Sequence, residues 1–364
     1  MLLYGGFLRM NLLDRFTNST QFKDYNDFYH NFKLHVPDNF NYAYDVVDEY
    51  ARLAPEKRAI VWCDDCGAER TFTFADIKRI SDKAANLFLS LGIGKGDTVL
   101  VILQRRHEYW TTLMALSKIG AIAIPATHML MEKDIVYRME KAGVKMVISV
   151  NEDELCGNIL KAVKKVPGVR HALCVGKREG FLDLTEETEK QSDVLDIPYK
   201  QKRSANDILL VYFTSGTTGM PKMAALSQRY TLGHIVTAKF WLNCIDDGLH
   251  FTLAETGWAK ASWGKLFGQW LCGSAIFVYD FHGKFEPEDL LNHVSKYGIT
   301  TFCAPPTVYR FMIKSDLSKY DLSSIQYMMT AGEALNPEIY RQIMMKTGHA
   351  IYEGFGQTET TIVC

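Results

Sequence analysis

Short apolar runs alternate with amphipathic helical patterns along most of this chain. The predicted strands are residues 98–103, 121–124, 145–149, 172–175, 208–213, 275–279, 301–304 and 325–329. The predicted helices are residues 75–91, 108–118, 133–142, 152–165, 228–242, 287–296, 306–313 and 337–346. Such alternation predicts an α/β fold with mostly parallel sheets covered by helices, because parallel strands need helical crossovers that cover the faces of a sheet.

A polar stretch rich in Lys, Gln and Ser divides this pattern at residues 186–206. Such a stretch between apolar segments is typical of a linker. The sequence therefore predicts an N-terminal arm at 1–42, a first α/β lobe at 43–205 and a second α/β region at 206–364.

Composition narrows the functional classes. The chain has 364 residues, of which 47% are hydrophobic and 23% charged, as in ordinary globular proteins. Its net charge of −1 shows no excess of positive charge of the kind that binds nucleic acid. No apolar run approaches the roughly 20 residues that cross a bilayer, and residues 1–9 lack the basic start of a secretory signal. We predict a cytoplasmic enzyme without a transmembrane segment, and homo-oligomerisation stays open.

Two of the eight cysteines, Cys63 and Cys66, form a C-x-x-C pattern. A structural zinc site needs further ligands at suitable spacing, and no second C-x-x-C is present. The intervening Asp64-Asp65 and the following Gly67 favour a hairpin turn between two strands. Zinc binding is the weaker alternative.

A loop rich in glycine and hydroxyl groups follows the apolar run at 207–211. It contains Thr214, Ser215, Gly216, Thr217, Thr218, Gly219 and Lys222. Glycine permits positive φ, so successive backbone N–H groups can point into one concavity, and lysine adds a charge suited to phosphate. Pro221 excludes the Walker A pattern. The alternative is an ordinary polar surface turn.

This loop resembles the phosphate-binding loop of the adenylate-forming enzymes, above all the medium-chain acyl-CoA synthetases. Two later segments strengthen the resemblance: Ala331-Gly332-Glu333-Ala334 is similar to the family's adenine-contacting segment, and Tyr352–Thr360 contains its Gly-Gln-Thr-Glu-Thr pattern. The resemblance runs from about residue 43 to the end and implies two such sheets, as in the family's large N-terminal domain. It implies an acid–CoA ligase that uses ATP, Mg²⁺ and coenzyme A.

The resemblance also implies roles for individual residues. Thr214, Lys222, Thr358 and Glu359 would be catalytic, with the loop holding the β- and γ-phosphates, Thr358 contacting the α-phosphate and Glu359 binding Mg²⁺. One glutamate suffices, because Mg²⁺ is commonly held by one or two carboxylates and substrate phosphates. The further nucleotide-binding residues would be Gly332, Glu333, Ala334, Glu353, Gly354, Phe355, Gly356 and Gln357.

The same resemblance places the acyl pocket at Trp258, Ala259, Lys260, Ala331 and Gly356. Acetate-activating relatives carry tryptophan at the position of Gly356, so glycine would leave depth for a longer chain. The implied substrate is a medium-chain, branched or aryl-alkyl carboxylic acid. An amino acid fits less well, because Lys260 has the wrong sign for pairing an ammonium group and Glu255 does not match the acidic position.

Members of the family continue with a small C-terminal lid, whereas this sequence ends at Cys364, soon after Glu359. The resemblance therefore implies a large domain without its lid. Two functions follow: a ligase represented by its large domain, or a non-catalytic module that binds nucleotide or acid and has lost turnover.

Overall fold

The structure is a computed structural model that describes residues 12–215 and 219–364. Within these residues, strands form two seven-stranded sheets and a short C-terminal hairpin. The strands are β1 (Arg58–Asp64), β2 (Glu69–Thr73), β3 (Thr98–Ile102), β4 (Ile122–Pro125), β5 (Met146–Ser149), β6 (His171–Cys174), β7 (Leu182–Asp183), β8 (Ile208–Thr214), β9 (Lys222–Ser227), β10 (Leu249–Thr252), β11 (Ala275–Asp280), β12 (Thr301–Cys303), β13 (Tyr327–Ala331), β14 (Ile351–Gly354), β15 (Gly356–Gln357) and β16 (Thr361–Ile362).

Helices cover both sheets. The α-helices are α1 (Tyr25–Asn31), α2 (Glu49–Leu53), α3 (Phe74–Ser90), α4 (Glu108–Ile119), α5 (Glu132–Ala142), α6 (Asp153–Lys165), α7 (Leu184–Glu189), α8 (Tyr199–Lys202), α9 (Tyr230–Val236), α10 (Lys260–Gly264), α11 (Phe267–Leu271), α12 (Pro287–Tyr297), α13 (Pro306–Met312) and α14 (Pro337–Thr347). Pro287, Pro306 and Pro337 each begin a helix, where the N–H that proline lacks is not needed. None of the helices in the described ranges has the length and apolar character needed to cross a membrane.

Both large sheets are mostly parallel, which confirms the predicted α/β architecture. The first sheet has the order β7-β6-β5-β3-β4-β8-β9 and the second has the order β14-β13-β12-β10-β11-β1-β2. Only one edge pair in each is antiparallel, β8 with β9 and β1 with β2. The β1–β2 pair is the hairpin predicted around the Cys63–Cys66 turn.

The boundary predicted between residues 205 and 206 does not separate the two sheets. Strands β1 and β2 precede it but join the second sheet, whereas β8 and β9 follow it but join the first. β8 pairs in parallel with β4, and β1 pairs in parallel with β11. Each of these strands therefore carries its antiparallel hairpin partner into the sheet formed mainly by the other part of the chain. The 186–206 stretch itself contains α8 and most of α7.

Helix α4 lies in the core between the sheets, and every one of its residues is buried. Its sequence is apolar on nearly all sides, as expected of a helix without a solvent face. Lys118 is its one buried cation, and Asp48 and Asp82 neutralise it at 2.7 and 2.5 Å. At the other end, the indole N–H of Trp110 donates to the carbonyl of Lys265 at 3.0 Å, which ties α4 to the second sheet's helices.

The long elements agree with the sequence-based predictions to within a few residues, whereas several short ones were missed. Strands β9, β10 and β14 and helices α10 and α11 were not predicted. Each has only four to six residues, too few for a helical or strand periodicity to stand out. The predicted helix at 228–242 is an α-helix only at Tyr230–Val236, and it continues as a π-helical turn at Thr237–Trp241.

Candidate active site

The loop rich in hydroxyl groups lies at the carboxyl end of β8, inside a β-hairpin. Thr214 at the end of β8 pairs with Lys222 at the start of β9, so the antiparallel ladder closes the loop at its base. Gly219 has φ +90°, and a β-carbon added there would have no atom within 4 Å, so glycine serves the backbone conformation here. Ser215 and Lys222 are exposed. The predicted phosphate ligands Gly216, Thr217 and Thr218 lie outside the described residues.

The two later motifs lie side by side at the carboxyl edge of the second sheet. Ala331 and Gly354, the last residues of β13 and β14, are paired in the ladder. The backbone N–H of Leu335 donates to the Glu353 carboxylate at 3.0 Å, which ties the segments after the two strands together. Gly332 has φ +107° with open space beside it. The Glu333 carboxylate accepts a hydrogen bond from Thr307 at 3.1 Å, and Ala334 follows it in the exposed turn.

Gly354 and Phe355 shape the other side of this crevice. A β-carbon on Gly354 would stand 2.5 Å from the Trp241 ring, so only glycine fits there. Phe355 is 60% exposed, which leaves an aromatic face available for stacking. The crevice therefore combines a flat apolar face with backbone groups at two strand ends.

Helix α10 joins the loop strand to the edge of the second sheet. The Tyr212 hydroxyl, two residues before Thr214, lies 2.5 Å from the Ser262 hydroxyl. The Lys260 ammonium donates to the carbonyl of Ala331 at 3.1 Å. Helix α10 has only five residues, which span roughly 7 Å at the usual helical rise. The loop strand and the paired motifs are therefore both anchored to one short helix.

A cavity of about 410 Å³ opens beside α10 at the carboxyl ends of the second sheet's strands. This is where ligands bind in open α/β sheets. Its lining is mostly apolar and consists of Arg105, Leu253, Ala254, Glu255, Trp258, Lys260, Phe281 and Pro305. Two predicted pocket residues, Trp258 and Lys260, belong to this lining, whereas Ala259 is buried and Ala331 contributes its carbonyl to Lys260.

Gly356 does not line this cavity. The structure indicates another reason for glycine at this position. It lies in the hairpin of β15 and β16, paired with Ile362. A β-carbon there would stand 1.8 Å from the carbonyl oxygen of Thr361. Close backbone approach therefore requires glycine at this position, and a large side chain would open the hairpin.

An ion pair forms the polar wall of the cavity and joins the two sheets. Arg105, which follows β3, contacts Glu255, which follows β10, at 2.5 Å. Arg105 also donates to the carbonyl of Phe281 at 2.6 Å, with its guanidinium 4.1 Å from the Phe281 ring centre. Because the Glu255 carboxylate already has a cationic partner, it offers no uncompensated charge for a substrate ammonium. Arg105 was not predicted from the sequence, since its partner lies far away in the chain.

A second residue that was not predicted is Lys265, directly behind the cavity. Its side chain is fully buried, and its ammonium donates a hydrogen bond of 3.4 Å to the carbonyl of Ala254, a lining residue. Within the described part of the chain no carboxylate forms an ion pair with it. Burial, with the nearby charge of Arg105, lowers the pKa of Lys265 to about 7 although Glu255 and Asp280 act in the opposite direction. The only sequence signal was a lysine inside an apolar segment.

Thr358 and Glu359 occupy the turn between β15 and β16, directly after Gln357. Glu359 is exposed, and no described residue forms an ion pair with its carboxylate. A free carboxylate of this kind is a suitable ligand for Mg²⁺, which prefers oxygen ligands and completes its shell with phosphates and water.

Comparison with known proteins places this chain in a family. The family described as AMP-binding enzyme matches residues 47–364, so the chain belongs to it. This bears out the resemblance drawn from the three motifs.

Particular relatives agree. The chain is 33% identical over its full length to human mitochondrial acyl-coenzyme A synthetase ACSM3, and 34% identical over 90% of its length to human mitochondrial acyl-coenzyme A synthetase ACSM4. The solved structure of a Brucella canis acyl-CoA synthetase matches 90% of the chain and 59% of its own length, with a TM-score of 0.80 at 23% identity. The anthranilate CoA ligase AuaEII, solved with anthranoyl-AMP, covers 89% of the chain and 61% of its own length, with a TM-score of 0.79 at 24% identity. The two structural matches support the fold.

The chain spans 62% of the length of human ACSM3 and 57% of ACSM4. Its residues correspond to the larger, α/β part of an acyl-CoA synthetase.

Proposed function

We propose that this chain is the nucleotide- and acid-binding part of an ATP-dependent acid–CoA ligase. The observation that carries the proposal is the pairing of Ala331 with Gly354 at one strand edge, with Lys260 linking that edge to α10 beside the apolar cavity. A carboxylic acid in the cavity and a nucleotide in the crevice would then meet at Lys260. The family match over residues 47–364 supports the same reaction class.

The reaction has two steps. A carboxylate oxygen attacks the α-phosphorus of ATP, the bond from that phosphorus to the bridging oxygen breaks, and pyrophosphate leaves with the electron pair. The thiolate of coenzyme A then attacks the acyl carbon of the mixed anhydride, and AMP leaves. Repulsion between the two anions opposes the first step, so positioning and positive charge provide most of the catalysis.

The residues of this chain would divide these tasks. The loop at 214–222, with Lys222, would hold the β- and γ-phosphates, and Thr358 would contact the α-phosphate. Mg²⁺ held by Glu359 would neutralise part of the triphosphate's charge. Phe355 would stack on the adenine, and the Lys260 ammonium would lie where acid and phosphate meet.

The apolar lining favours a medium-chain, branched or aryl-alkyl acid. Leu253, Ala254, Trp258 and Phe281 offer hydrocarbon and aromatic contact, and each CH₂ group that a substrate buries contributes about 0.8 kcal/mol. Because Gly356 does not line the cavity, the acid preference rests on these four side chains. The compartment stays a prediction, since the sequence indicates a cytoplasmic enzyme whereas the named relatives are mitochondrial.

Acid-dependent exchange of pyrophosphate into ATP tests the proposal. The assay compares this chain with a version extended by the C-terminal domain of a relative, across acids of increasing length. We expect weak exchange from the chain alone and strong exchange from the extended version. AMP binding without exchange in either version would instead indicate a non-catalytic nucleotide-binding module.

Ala254→Phe should narrow the cavity and shift preference toward short acids. The added ring would occupy the space that a longer acyl chain needs, since Ala254 lines the cavity. Loss of two or three buried CH₂ groups should lower affinity for a hexanoyl-adenylate analogue by roughly tenfold or more, with little change for a propionyl analogue. Titration calorimetry on this chain gives both affinities.

Ala68→Phe is the matched control, because Ala68 is exposed in the β1–β2 turn and does not line the cavity. It should leave both affinities unchanged. Equal weakening of hexanoyl and propionyl analogues by Ala254→Phe would contradict the assignment of this cavity to the acyl chain.

A further inference from the structure

Helix α5 contacts both ends of the loop at 214–222 through two consecutive residues. The Tyr137 hydroxyl donates to the carbonyl of Pro221 at 2.9 Å, just before the loop re-enters β9. The Tyr137 ring also meets the Phe213 ring edge-on, with 6.0 Å between ring centres. Phe213 immediately precedes Thr214, so one tyrosine touches the strand that enters the loop and the residue that leaves it.

Arg138 adds a cation to the same contact. Its guanidinium carbon lies 5.2 Å from the centre of the Phe213 ring, and one of its N–H groups donates to the Asp134 carbonyl at 3.0 Å. Within the described ranges no carboxylate forms an ion pair with Arg138. The charged side chain that acts on it is that of Asp134 in the same helix.

The environment of Arg138 is partly dehydrated. Burial lowers the pKa of the guanidinium from its ordinary value, with the Asp134 charge acting in the opposite direction. An arginine stays protonated at physiological pH despite such a shift. A half-buried charge without a carboxylate partner acts on a nearby anion more strongly than a fully hydrated one.

We propose that Tyr137 and Arg138 form a clamp that fixes the two ends of the loop, at Phe213 and Pro221, and adds one positive charge beside them. The proposal rests on the proposed function, since it assigns the loop to the β- and γ-phosphates. Tyr137 is a positioning residue that acts through Pro221, and Arg138 acts through Phe213 and through its field. Neither residue belongs to the three motifs that define the site.

Affinities for MgATP and for AMP, measured by titration calorimetry on the full chain, test the clamp. Tyr137→Phe keeps the ring and removes one hydrogen bond, so MgATP affinity should fall roughly fivefold. Arg138→Met removes the charge and should lower MgATP affinity on the order of tenfold. AMP affinity should stay unchanged in both, because AMP lacks the β- and γ-phosphates.

Two further variants sharpen the test. Lys141→Met removes an exposed charge from the same helix and should leave both affinities unchanged. Arg138→Lys restores a charge without the planar group, so it should recover part of the MgATP affinity.

The outcomes separate the clamp from the function on which it rests. Equal losses of MgATP and AMP affinity would show that the contacts of Tyr137 and Arg138 have only a general structural role, and would overturn the clamp. Unchanged MgATP affinity in Tyr137→Phe and Arg138→Met would overturn it too, while the proposed function stands. A chain that binds neither nucleotide would overturn both.

Discussion

Lys265→Met should remove a steep pH dependence from the free energy of unfolding between about pH 7 and 10. Lys265 is fully buried and has a pKa of about 7 in the folded protein, whereas an unfolded lysine has a pKa of about 10.4. Across this range the unfolded chain binds more protons than the folded one, so this group makes stability rise with pH.

The size of the effect follows from the same shift. Near pH 7 the protonation of Lys265 in the unfolded chain disfavours folding by about 4 kcal/mol, and near pH 10 by less than about 1 kcal/mol. Methionine fills a similar volume and carries no proton, so the variant should gain most at pH 7. Urea unfolding of both proteins at pH 7 and pH 10 measures the difference.

The comparison isolates Lys265, because every other titrating group is shared by the two proteins. The charges that face its ammonium are those of Arg105, Glu255 and Asp280, and all three remain in the variant. Lys202→Met, at an exposed position on α8, should leave the pH dependence as it is in the parent. Parallel pH profiles for the parent and Lys265→Met would show that the buried amine keeps an ordinary pKa.

Arg105→Met should lower the free energy of unfolding by about 3 kcal/mol or more, because it leaves the carboxylate of Glu255 largely buried without its cation. Only 13% of the Arg105 side chain and 15% of the Glu255 side chain are exposed. The variant also loses the hydrogen bond to the carbonyl of Phe281, one of the contacts that join the sheets. Chemical denaturation at pH 7 measures the loss.

A double variant separates the ion pair from the packing. Glu255→Gln in the Arg105→Met background removes the uncompensated charge, so it should restore a large part of the lost stability. Arg52→Met is the matched surface control: Arg52 contacts Glu49 at 2.6 Å with 63% of its side chain exposed, and its loss should cost about 1 kcal/mol or less. If Arg105→Met lowers the free energy of unfolding no more than this control does, the ion pair between the sheets does not stabilise the fold.

Most of the fold could be predicted from local patterns. Helices such as α3 and α6 are long enough to repeat an apolar stripe several times, and glycine and proline mark many helix ends. Strands of three to seven residues were recognised where they lie between two predicted helices. The strands β10 and β14 were missed because polar residues such as His250 and Glu353 interrupt them, so neither shows the continuous apolar run that is typical of a strand in a parallel sheet.

Part of the candidate site, too, could be predicted from local patterns. The loop at 214–222 and the segments at 331–334 and 353–359 were recognised as motifs of the family, because each motif consists of a few consecutive residues. Gly356 does not line the cavity beside α10, and its close contact with the Thr361 backbone could not be predicted, because that residue lies beyond the motif.

The sequence alone determined the α/β class, the order of the long elements and the three motifs that mark the family, since these depend on neighbours along the chain. Only the tertiary structure decided which strands exchange between the sheets, how the cavity is lined and why Lys265 is a buried amine with a lowered pKa. Arg105 and Glu255 are 150 residues apart, and such a contact depends on how the two sheets pack. No local pattern carries that information, because burial and pairing at this distance are properties of the folded whole.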